Sequence, residues 1–429
     1  MLKEEPAPSR ILWGHLTALS LGAVGLALAM GILGYTTGAA WIRWFAVALT
    51  PVGSVWISAL RMTVVPLVLT QLLVALTGGS NGGGLGRLGL RTFGLFLAFI
   101  ASAGIGTTLV MGPVVEIYPV DPVLAATLRD QTVIPEAAVE VTSGTPLSLG
   151  EWIQSLVPSN VFSAATDGEI LPLLVFTLLF GLAVAQIGGE ARTRLGAIFG
   201  SLAEAMMQVV YWVLWATPIA VFALVLELTL NSGTEALGLL LFYVVAVCGW
   251  MLLVTGILYP VSAFFGRISF GRFAKAVAPA QMVAISTRSS LASLPALIEG
   301  GKEHLDFGPQ TTGFVLPLSS AVFKMSTMTA EPVRYLFLAL LFGIPLTIPQ
   351  TATFLATLAI LSFSGVGVPR GGSGFDTLPA YMAAGIPIEG LVLVVAVDTV
   401  PDIAKTIINV TGQMSVATLA SRGLSGRGS

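Results

Sequence analysis

Long apolar runs separated by short polar connections fill the chain up to residue 264. A membrane-spanning helix needs about 20 predominantly apolar residues in succession. Six runs reach that length, at residues 11–34, 47–77, 92–115, 152–187, 194–230 and 236–264. The pattern therefore predicts six spanning helices, with the polar stretch 118–150 outside the membrane.

Beyond residue 264 the apolar segments are interrupted by Ser, Gly and Pro. The interruptions fall in two corresponding units, 270–341 and 347–421, each a Ser- or Gly-rich hairpin followed by a helix that carries polar residues. Broken hydrophobic segments in corresponding positions point to the binding site of a transporter. The predicted fold class is an all-α polytopic membrane protein with eight transmembrane helices, two re-entrant helical hairpins and inverted repeats.

The last predicted helix, within residues 397–422, is polar along one face. Six polar residues recur there at steps of 4, 3, 1, 3 and 4, which share a side of a helix with 3.6 residues per turn: Asp398, Asp402, Lys405, Thr406, Asn409 and Gln413. The opposite face is predicted to hold Val400, Ile403, Ile407, Ile408 and Val410. A face this polar must look into protein or into a cavity rather than into lipid.

Composition supports a membrane protein and excludes several other classes. The chain has 429 residues, 55% hydrophobic and 10% charged, against about 25% charged in soluble domains. A net charge of −2 gives no electrostatic reason to expect nucleic acid as a partner. Cys248 is the single cysteine, so no disulfide forms within the chain.

The sequence gives little support to an enzyme. GGSNG and GLGRLG, within residues 78–89, match a nucleophile-elbow and a dinucleotide-binding pattern by letter, but an apolar spanning segment precedes them instead of a strand. His15 and His304 have no Cys or His at ligand spacing. We therefore expect no catalytic residue, no cofactor and no metal ligand.

Charge placement predicts the orientation. Basic residues cluster in short connections and in the tail, at Arg87, Arg91, Arg192, Arg194, Arg267, Arg272, Lys275, Arg422 and Arg427. With six spans before the first hairpin, all of these fall on one side and the acidic stretch 118–150 on the other. The positive-inside rule then places both termini in the cytoplasm. The expected location is the cell (inner) membrane, with lipids as neighbours.

Ionisable groups also lie inside the predicted membrane segments. They are Arg288, Lys324, Glu331, Asp398, Asp402 and Lys405, with Arg370 at a hairpin tip. A Lys, Arg or Asp at the centre of a spanning helix costs about 2.5–3.5 kcal/mol. Such groups persist when they bind a substrate or pair with one another. Mutual pairing that only holds helices together is the alternative to a binding site.

Five segments resemble the glutamate transporter family, the dicarboxylate/amino acid:cation symporters. The segments are 157–185, 201–224, TRSSLASLP at 287–295, SGVGVPRGG at 364–372 and DIAKTIINVTGQ at 402–413. The resemblance implies a homotrimer that works by an elevator-like movement. It implies a scaffold of 1–85 and 151–231, a transport domain of 86–117 and 232–421, an extracellular loop at 118–150 and a cytoplasmic tail at 422–429.

The resemblance also implies roles for residues in the last helix. Asp402 matches the carboxylate that holds a substrate amino group, and Asn409 the amide that holds the α-carboxylate, with Thr406 as its hydroxyl neighbour. Lys405 replaces the family arginine that grips a side-chain carboxylate, so a point charge takes the place of a bidentate fork. Asp398 belongs to the same implied substrate site.

Both hairpin tips contribute to the implied substrate site. The first tip supplies Arg288, Ser289 and Ser290, whose backbone N–H groups favour an anion. The second supplies Val366, Gly367 and Arg370. Relatives have Gly where this chain has Arg370, which is interpreted either as a solvent-facing tip residue or as a second carboxylate clamp.

Departures from the family pattern fall on the implied sodium ligands. KMSTM at 324–328 stands where sodium-coupled members have NMDGT, so Lys324 replaces an Asn and Ser326 an Asp. Gln413 replaces the last-helix Asp. In the third helix, the family's ligating Tyr and Thr align with Ala98 and Ala101, which leaves only Ser102.

We hypothesise that Lys324, placed roughly mid-helix, acts as a tethered cation instead of sodium. A snorkelling Lys is the alternative. In a variant, Lys324 or Glu331 carries a transported proton, since seven residues make about two turns and the two can share a face. Four cations (Arg288, Lys324, Arg370, Lys405) and three anions (Glu331, Asp398, Asp402) sum to +1, which complements an amino acid of charge −1.

The sequence thus predicts a transporter of acidic amino acids, aspartate- or glutamate-like, that is not driven by sodium and is either proton-coupled or passive. One rival is a conventional sodium-coupled symporter with displaced ion sites. Another is a channel or a sensor on the same scaffold.

Overall fold

A computed structural model describes most of the chain. The described residues are 10–77, 87–118, 154–167, 169–232, 234–364, 377–387, 390–391, 394 and 397–422. Every regular element within these ranges is helical, as the all-α prediction requires.

The first half contains eight helices in its described ranges. They are α1 (Arg10–Thr37), α2 (Ala40–Thr77), α3 (Arg87–Glu116), α4 (Val161–Thr166), α5 (Ile170–Gln186), α6 (Gly189–Trp215), α7 (Thr217–Ser232) and α8 (Thr234–Gly266). The predicted span 194–230 is thus two helices, and Pro218 lies in the first turn of α7, where a missing N–H costs no helical hydrogen bond. The span 152–187 is also divided, because Asn160 caps the short α4 by accepting from Phe162 N at 2.9 Å.

The second half contains seven α-helices and one π-helical segment in its described ranges. Its elements are α9 (Phe270–Thr287), α10 (Leu294–Leu305), a π-helical segment (Thr311–Val315), α11 (Leu316–Val322), α12 (Met325–Leu341), α13 (Ile348–Ser364), α14 (Leu378–Ala383) and α15 (Thr399–Ser421). The first hairpin, α9–α10, closes backbone against backbone at Gly300, where a Cβ would lie 2.0 Å from the carbonyl oxygen of Ala276.

The helices pack in two groups. In one, α1 lies on α7, and α2 lies on α5, α6 and α7. In the other, α15 contacts α8, α9, α11 and α12, and α3 packs along α12. Helix α13 touches both groups, through α2 and α5 on one side and α3 and α12 on the other.

The exterior of the described helices is strongly apolar. Large side chains such as Trp44, Leu109 and Phe264 are 75%, 71% and 78% exposed. Two described helices, Leu88–Glu116 and Gly238–Gly266, are long and apolar enough to cross a membrane by themselves. Exposed apolar surface on this scale fits contact with lipid rather than with water.

Two arginines join three helix ends at one end of the bundle. Arg91, in the first turns of α3, donates to the carbonyl oxygens of Arg422 and of Leu419, the latter at 2.8 Å. Arg422 in turn donates to Phe265 O at 3.1 Å, near the end of α8. Three of the connections predicted to face the cytoplasm are therefore neighbours in space.

Candidate functional site

A fully buried arginine, Arg334, lies where α8, α12 and α15 meet. Each of its three nitrogens has a partner: Nε donates to Tyr243 Oη at 3.1 Å, Nη1 to Glu331 Oε2 at 3.0 Å and Nη2 to Asp398 Oδ1 at 2.8 Å. An arginine can be buried at a bearable cost only when its charge is paired and its donors are satisfied. Two carboxylates pair the charge of Arg334, and each of its nitrogens donates one hydrogen bond.

Lys405 completes the arrangement from α15. Its Nζ donates to Asp398 Oδ2 at 2.6 Å and lies 3.8 Å from Glu331 Oε1. Glu331 Oε2 also accepts from Tyr381 Oη at 2.7 Å and from Thr377 Oγ1 at 3.2 Å, at α14 and just before it. Two cations and two carboxylates thus form a neutral group with nearly complete hydrogen bonding. We call these four side chains the charge cluster: Arg334, Lys405, Glu331 and Asp398.

Helix geometry places the members of the charge cluster. Glu331 and Arg334 are three residues apart on α12, a spacing at which side chains of a helix are neighbours. Asp398 is the residue before α15, and Lys405 lies seven residues on, about two turns along the same face. The cluster therefore ties the middle of α12 to the beginning of α15.

The seventh predicted span is broken at Lys324, so the prediction that Lys324 lies mid-helix is wrong. Helix α11 ends at Val322 and α12 begins at Met325, while Phe323 (φ −87°, ψ 115°) and Lys324 (φ −125°, ψ 93°) are extended. Lys324 is consequently the residue before α12 and not part of a helix that continues through it. Open backbone groups at such breaks are where transporters of the broken-helix type hold their ions.

Two amides of α15 cross this break. Asn409 Oδ1 accepts from the backbone N–H of Ser326 at 2.8 Å, in the first turn of α12, and so caps a helix other than its own. Gln413 Nε2 donates to the carbonyl oxygen of Phe323 at 3.4 Å, and its Oε1 accepts from Ser320 Oγ at 3.3 Å. Neutral hydrogen bonds therefore join α11, α12 and α15 at the break.

Aromatic rings of α3 pack against the same break. Phe323 is fully buried and stacks on Phe96, with ring centroids 4.9 Å apart, while Phe99 meets it edge-on at 6.1 Å. Ala98, Ala101 and Ser102, predicted to stand at the positions of the family's ion ligands, do not face this break. All three are exposed, and Ser102 Oγ donates within α3 to Phe99 O. Because the α3 sequence is apolar on all sides, its pattern does not predict which face of the helix is buried.

The first hairpin tip is a defined turn. Arg288 adopts the left-handed conformation (φ 50°, ψ 34°) directly after α9, and its N–H donates to Ala284 O at 2.8 Å. Ser289 Oγ accepts from Ala292 N at 3.3 Å, and Ser290 is buried. A left-handed non-glycine residue costs roughly 1–2 kcal/mol, so the surrounding contacts hold this turn in place.

The faces of α15 agree only in part with the prediction. Val400 and Ile403 are exposed, whereas Ile408 and Val410, predicted for the same outward face, are fully buried. The neighbouring helices α8, α9, α11 and α12 surround the later turns of α15 and bury both of its sides.

Three predicted site residues lie outside the described part of the chain, namely Val366, Gly367 and Arg370. The remaining substrate residues are described. Asp402 is half-buried, and Thr406 is buried with its hydroxyl bonded to Asp402 O at 2.8 Å. No group of three or more His, Cys, Asp or Glu side chains suited to a metal ion occurs in the described ranges.

Sequence reasoning missed Arg334 and its partner Tyr243, and it missed Tyr381 and Thr377, which donate to Glu331. One signal was available, since Arg334 follows Glu331 at helical i, i+3 spacing in the segment EPVR. Adding Arg334 to the earlier count gives five cations against three anions, a sum of +2 instead of +1.

A helix broken inside an apolar bundle, with buried charges on the facing helices, defines a membrane transport protein. A family model described as the sodium:dicarboxylate symporter family matches residues 16–422. The chain belongs to this family, which consists of membrane transporters and not of enzymes.

Similar proteins come from several bacteria. A proton/sodium-glutamate symport protein of Bacillus subtilis (strain 168) is 28% identical over 420 residues, 96% of this chain and 93% of the relative. A proton/glutamate-aspartate symporter of Escherichia coli (strain K12) is 30% identical over 374 residues, 85% of this chain and 82% of the relative. A C4-dicarboxylate transport protein of Cupriavidus necator is 29% identical, with 87% and 84% covered.

Proposed function

We propose that this protein is a secondary transporter of acidic amino acids, aspartate- or glutamate-like. The observation that carries the proposal is the polar face of α15, where Asp402 and Asn409 have the residue types of an amino-acid site and Asn409 accepts a hydrogen bond at the helix break. Relatives named as glutamate and aspartate symporters support the same substrate class.

Each substrate group has a proposed partner. Asp402 holds the amino group. The α-carboxylate is held by the NH₂ of Asn409, whose oxygen is engaged by Ser326 N–H, and by the first hairpin tip with Ser290. Thr406 lines the same face, and Lys405 takes the side-chain carboxylate. The second tip, with Val366, Gly367 and Arg370, covers the substrate.

We propose further that sodium is not required. Where relatives have an acid at the last-helix position, Gln413 donates an N–H to the Phe323 carbonyl, a hydrogen bond that replaces a cation bridge. Phe96 and Phe99 fill the α3 side with apolar rings. Lys324 supplies a fixed positive charge at the break, and two unit charges 4 Å apart repel by about 4 kcal/mol at an effective dielectric constant of 20.

An elevator mechanism in a homotrimer is the proposed mode of transport. The group of α1, α2 and α4–α7 would form the scaffold, and α3 with α8–α15 would move as the transport domain. The packing of helices in two groups supports this division. Both termini would lie in the cytoplasm, and Arg91 and Arg422, which meet at one end, would mark that side.

The experiment is calorimetric binding of L-aspartate and L-glutamate to purified protein in sodium and then in choline. Affinities that agree within about threefold are expected, because no ion site would be filled. Loss of binding in choline would show that the sodium sites have moved. Absence of binding in both salts would contradict the substrate class.

Proteoliposome uptake separates the remaining alternatives. Uptake accelerated by an inward proton gradient would indicate proton coupling, and uptake unaffected by it a passive carrier. A current much larger than the flux of labelled substrate would indicate a channel, and binding without uptake a sensor.

A further inference from the structure

The ammonium group proposed to grip the substrate already has a carboxylate partner. Lys405 Nζ lies 2.6 Å from Asp398 Oδ2 and 3.8 Å from Glu331 Oε1. A substrate carboxylate that arrives at Lys405 must therefore compete with Asp398. The charge cluster has no surplus positive charge to offer, since its two cations match its two carboxylates.

Asp398 is held by a different cation on each oxygen. Oδ2 binds Lys405, whereas Oδ1 binds Arg334 Nη2 at 2.8 Å. Lys405 can consequently leave Asp398 without abandoning a buried carboxylate, because the charge-assisted hydrogen bond from Arg334 remains. Without Arg334 the same movement would strand a buried charge, which is strongly unfavourable.

Arg334 itself is not suited to receive the substrate. Its side chain is 0% exposed and is held on three sides by Tyr243, Glu331 and Asp398. The Lys405 side chain is 11% exposed, and its ammonium group, with three rotatable donors, lies at the end of a flexible four-carbon stem. The two cations of the cluster are thus equipped for different tasks, one fixed and one exchangeable.

We propose that Arg334 is a positioning residue that keeps Asp398 neutralised, so that Lys405 can exchange Asp398 for the side-chain carboxylate of an acidic substrate. This inference rests on the proposed function. It makes Arg334 and Asp398 determinants of the preference for acidic over neutral substrates, although neither touches the substrate.

The test is the selectivity ratio, the Kd of L-asparagine divided by the Kd of L-aspartate, measured by calorimetry on full-length protein. Arg334→Met should lower the ratio by about tenfold or more, because Lys405 is then the cation that the described residues leave paired with Asp398. Asp398→Asn should raise it severalfold, since Lys405 is released. The double variant should return toward the wild-type ratio. Arg194→Met, which breaks an exposed ion pair with Glu190, is the matched control.

Each outcome decides the matter. If Arg334 and Asp398 were only structural, their substitution would weaken the binding of L-asparagine and of L-aspartate equally, and the ratio would not change. An unchanged ratio in Arg334→Met and Asp398→Asn would therefore overturn the proposed exchange of carboxylates at Lys405 and leave the proposed function intact. If Arg334→Met does not fold, Asp398→Asn decides alone: a rise supports the exchange, and no change or a fall overturns it. Failure of the wild-type protein to bind L-aspartate would overturn the proposed function, and the exchange with it.

Discussion

The two ends of the contact between α12 and α15 stabilise their buried polar groups differently, one with ion pairs and the other with hydrogen bonds of neutral amides. Near the beginning of α15, four full charges compensate one another in the charge cluster. Further along, Asn409 and Gln413 join the helices through neutral amides, beside stacked rings. Lys324, at the break between α11 and α12, is the charged exception at this end.

The difference bears on what each end can do. A charge cluster that is already balanced can take a charged ligand only by exchanging partners, so it is suited to select a substrate. An amide end with its carbonyl already bonded leaves little for a cation to coordinate. In the proposed function, selectivity belongs to the charge cluster and independence from sodium to the amide end, and each proposal can be broken by substitution.

The largest effect is expected for Glu331→Gln at the charge cluster. This change keeps the shape of the side chain but leaves Arg334 and Lys405 with one carboxylate, and breaking a buried ion pair costs about 3–5 kcal/mol. The free energy of unfolding in mixed micelles measures the loss. Glu190→Gln, in an ion pair whose side chains are 79% and 74% exposed, is the control and should change stability little. Equal losses in both would mean that the charge cluster does not stabilise the fold.

Asp402→Ala should weaken binding of L-aspartate by about a hundredfold, because a charged hydrogen-bond partner of the amino group is lost. Calorimetry of the purified variant measures this. Asp306→Ala, which removes an exposed acid paired with Arg272, serves as the control. Unchanged affinity in Asp402→Ala would refute the assignment of this carboxylate to the amino group.

Tyr243→Phe sharpens the comparison from within the charge cluster. It removes only the hydroxyl that accepts from Arg334 Nε at 3.1 Å, so the expected loss of stability is about 1–3 kcal/mol. The same unfolding measurement applies. A loss as large as that of Glu331→Gln would show that hydrogen bonding, and not charge balance, dominates at this end.

The smallest effect is expected for Lys324→Asn at the amide end. Sodium should change the affinity for L-aspartate by less than about threefold in this variant, because one restored amide does not supply the oxygen ligands that a hard cation needs. Gln413 still donates to Phe323 O, and Phe96 still fills the α3 side. Binding titrations in sodium and in choline measure it. A large sodium effect in the single variant would contradict the account of the amide end.

The membrane class, the all-helical character and the row of polar residues along α15 followed from the sequence alone, whereas several helix boundaries did not. Apolar runs of spanning length and a polar residue every three or four positions are local properties of the chain, so they can be recognised in the sequence before the fold is known. The family resemblance likewise rested on contiguous motifs in the hairpins and the last helix.

The tertiary structure alone decided where α12 begins and which partners the buried charges find. No Gly or Pro marks the break at Phe323 and Lys324. The break is accompanied by stacking on Phe96, by a hydrogen bond that Asn409 accepts and by one that Gln413 donates, all from residues more than 80 positions away. Arg334 lies only three residues after Glu331, so this pairing is a local feature of the sequence. Its ion pair with Asp398, in contrast, joins residues 64 positions apart. In α3, the uniform apolar pattern does not indicate which face of the helix is buried. The packing of the helices buries Phe96 and Phe99. Length and periodicity are set along the chain, whereas partners and facing directions are set by which helices come to lie side by side.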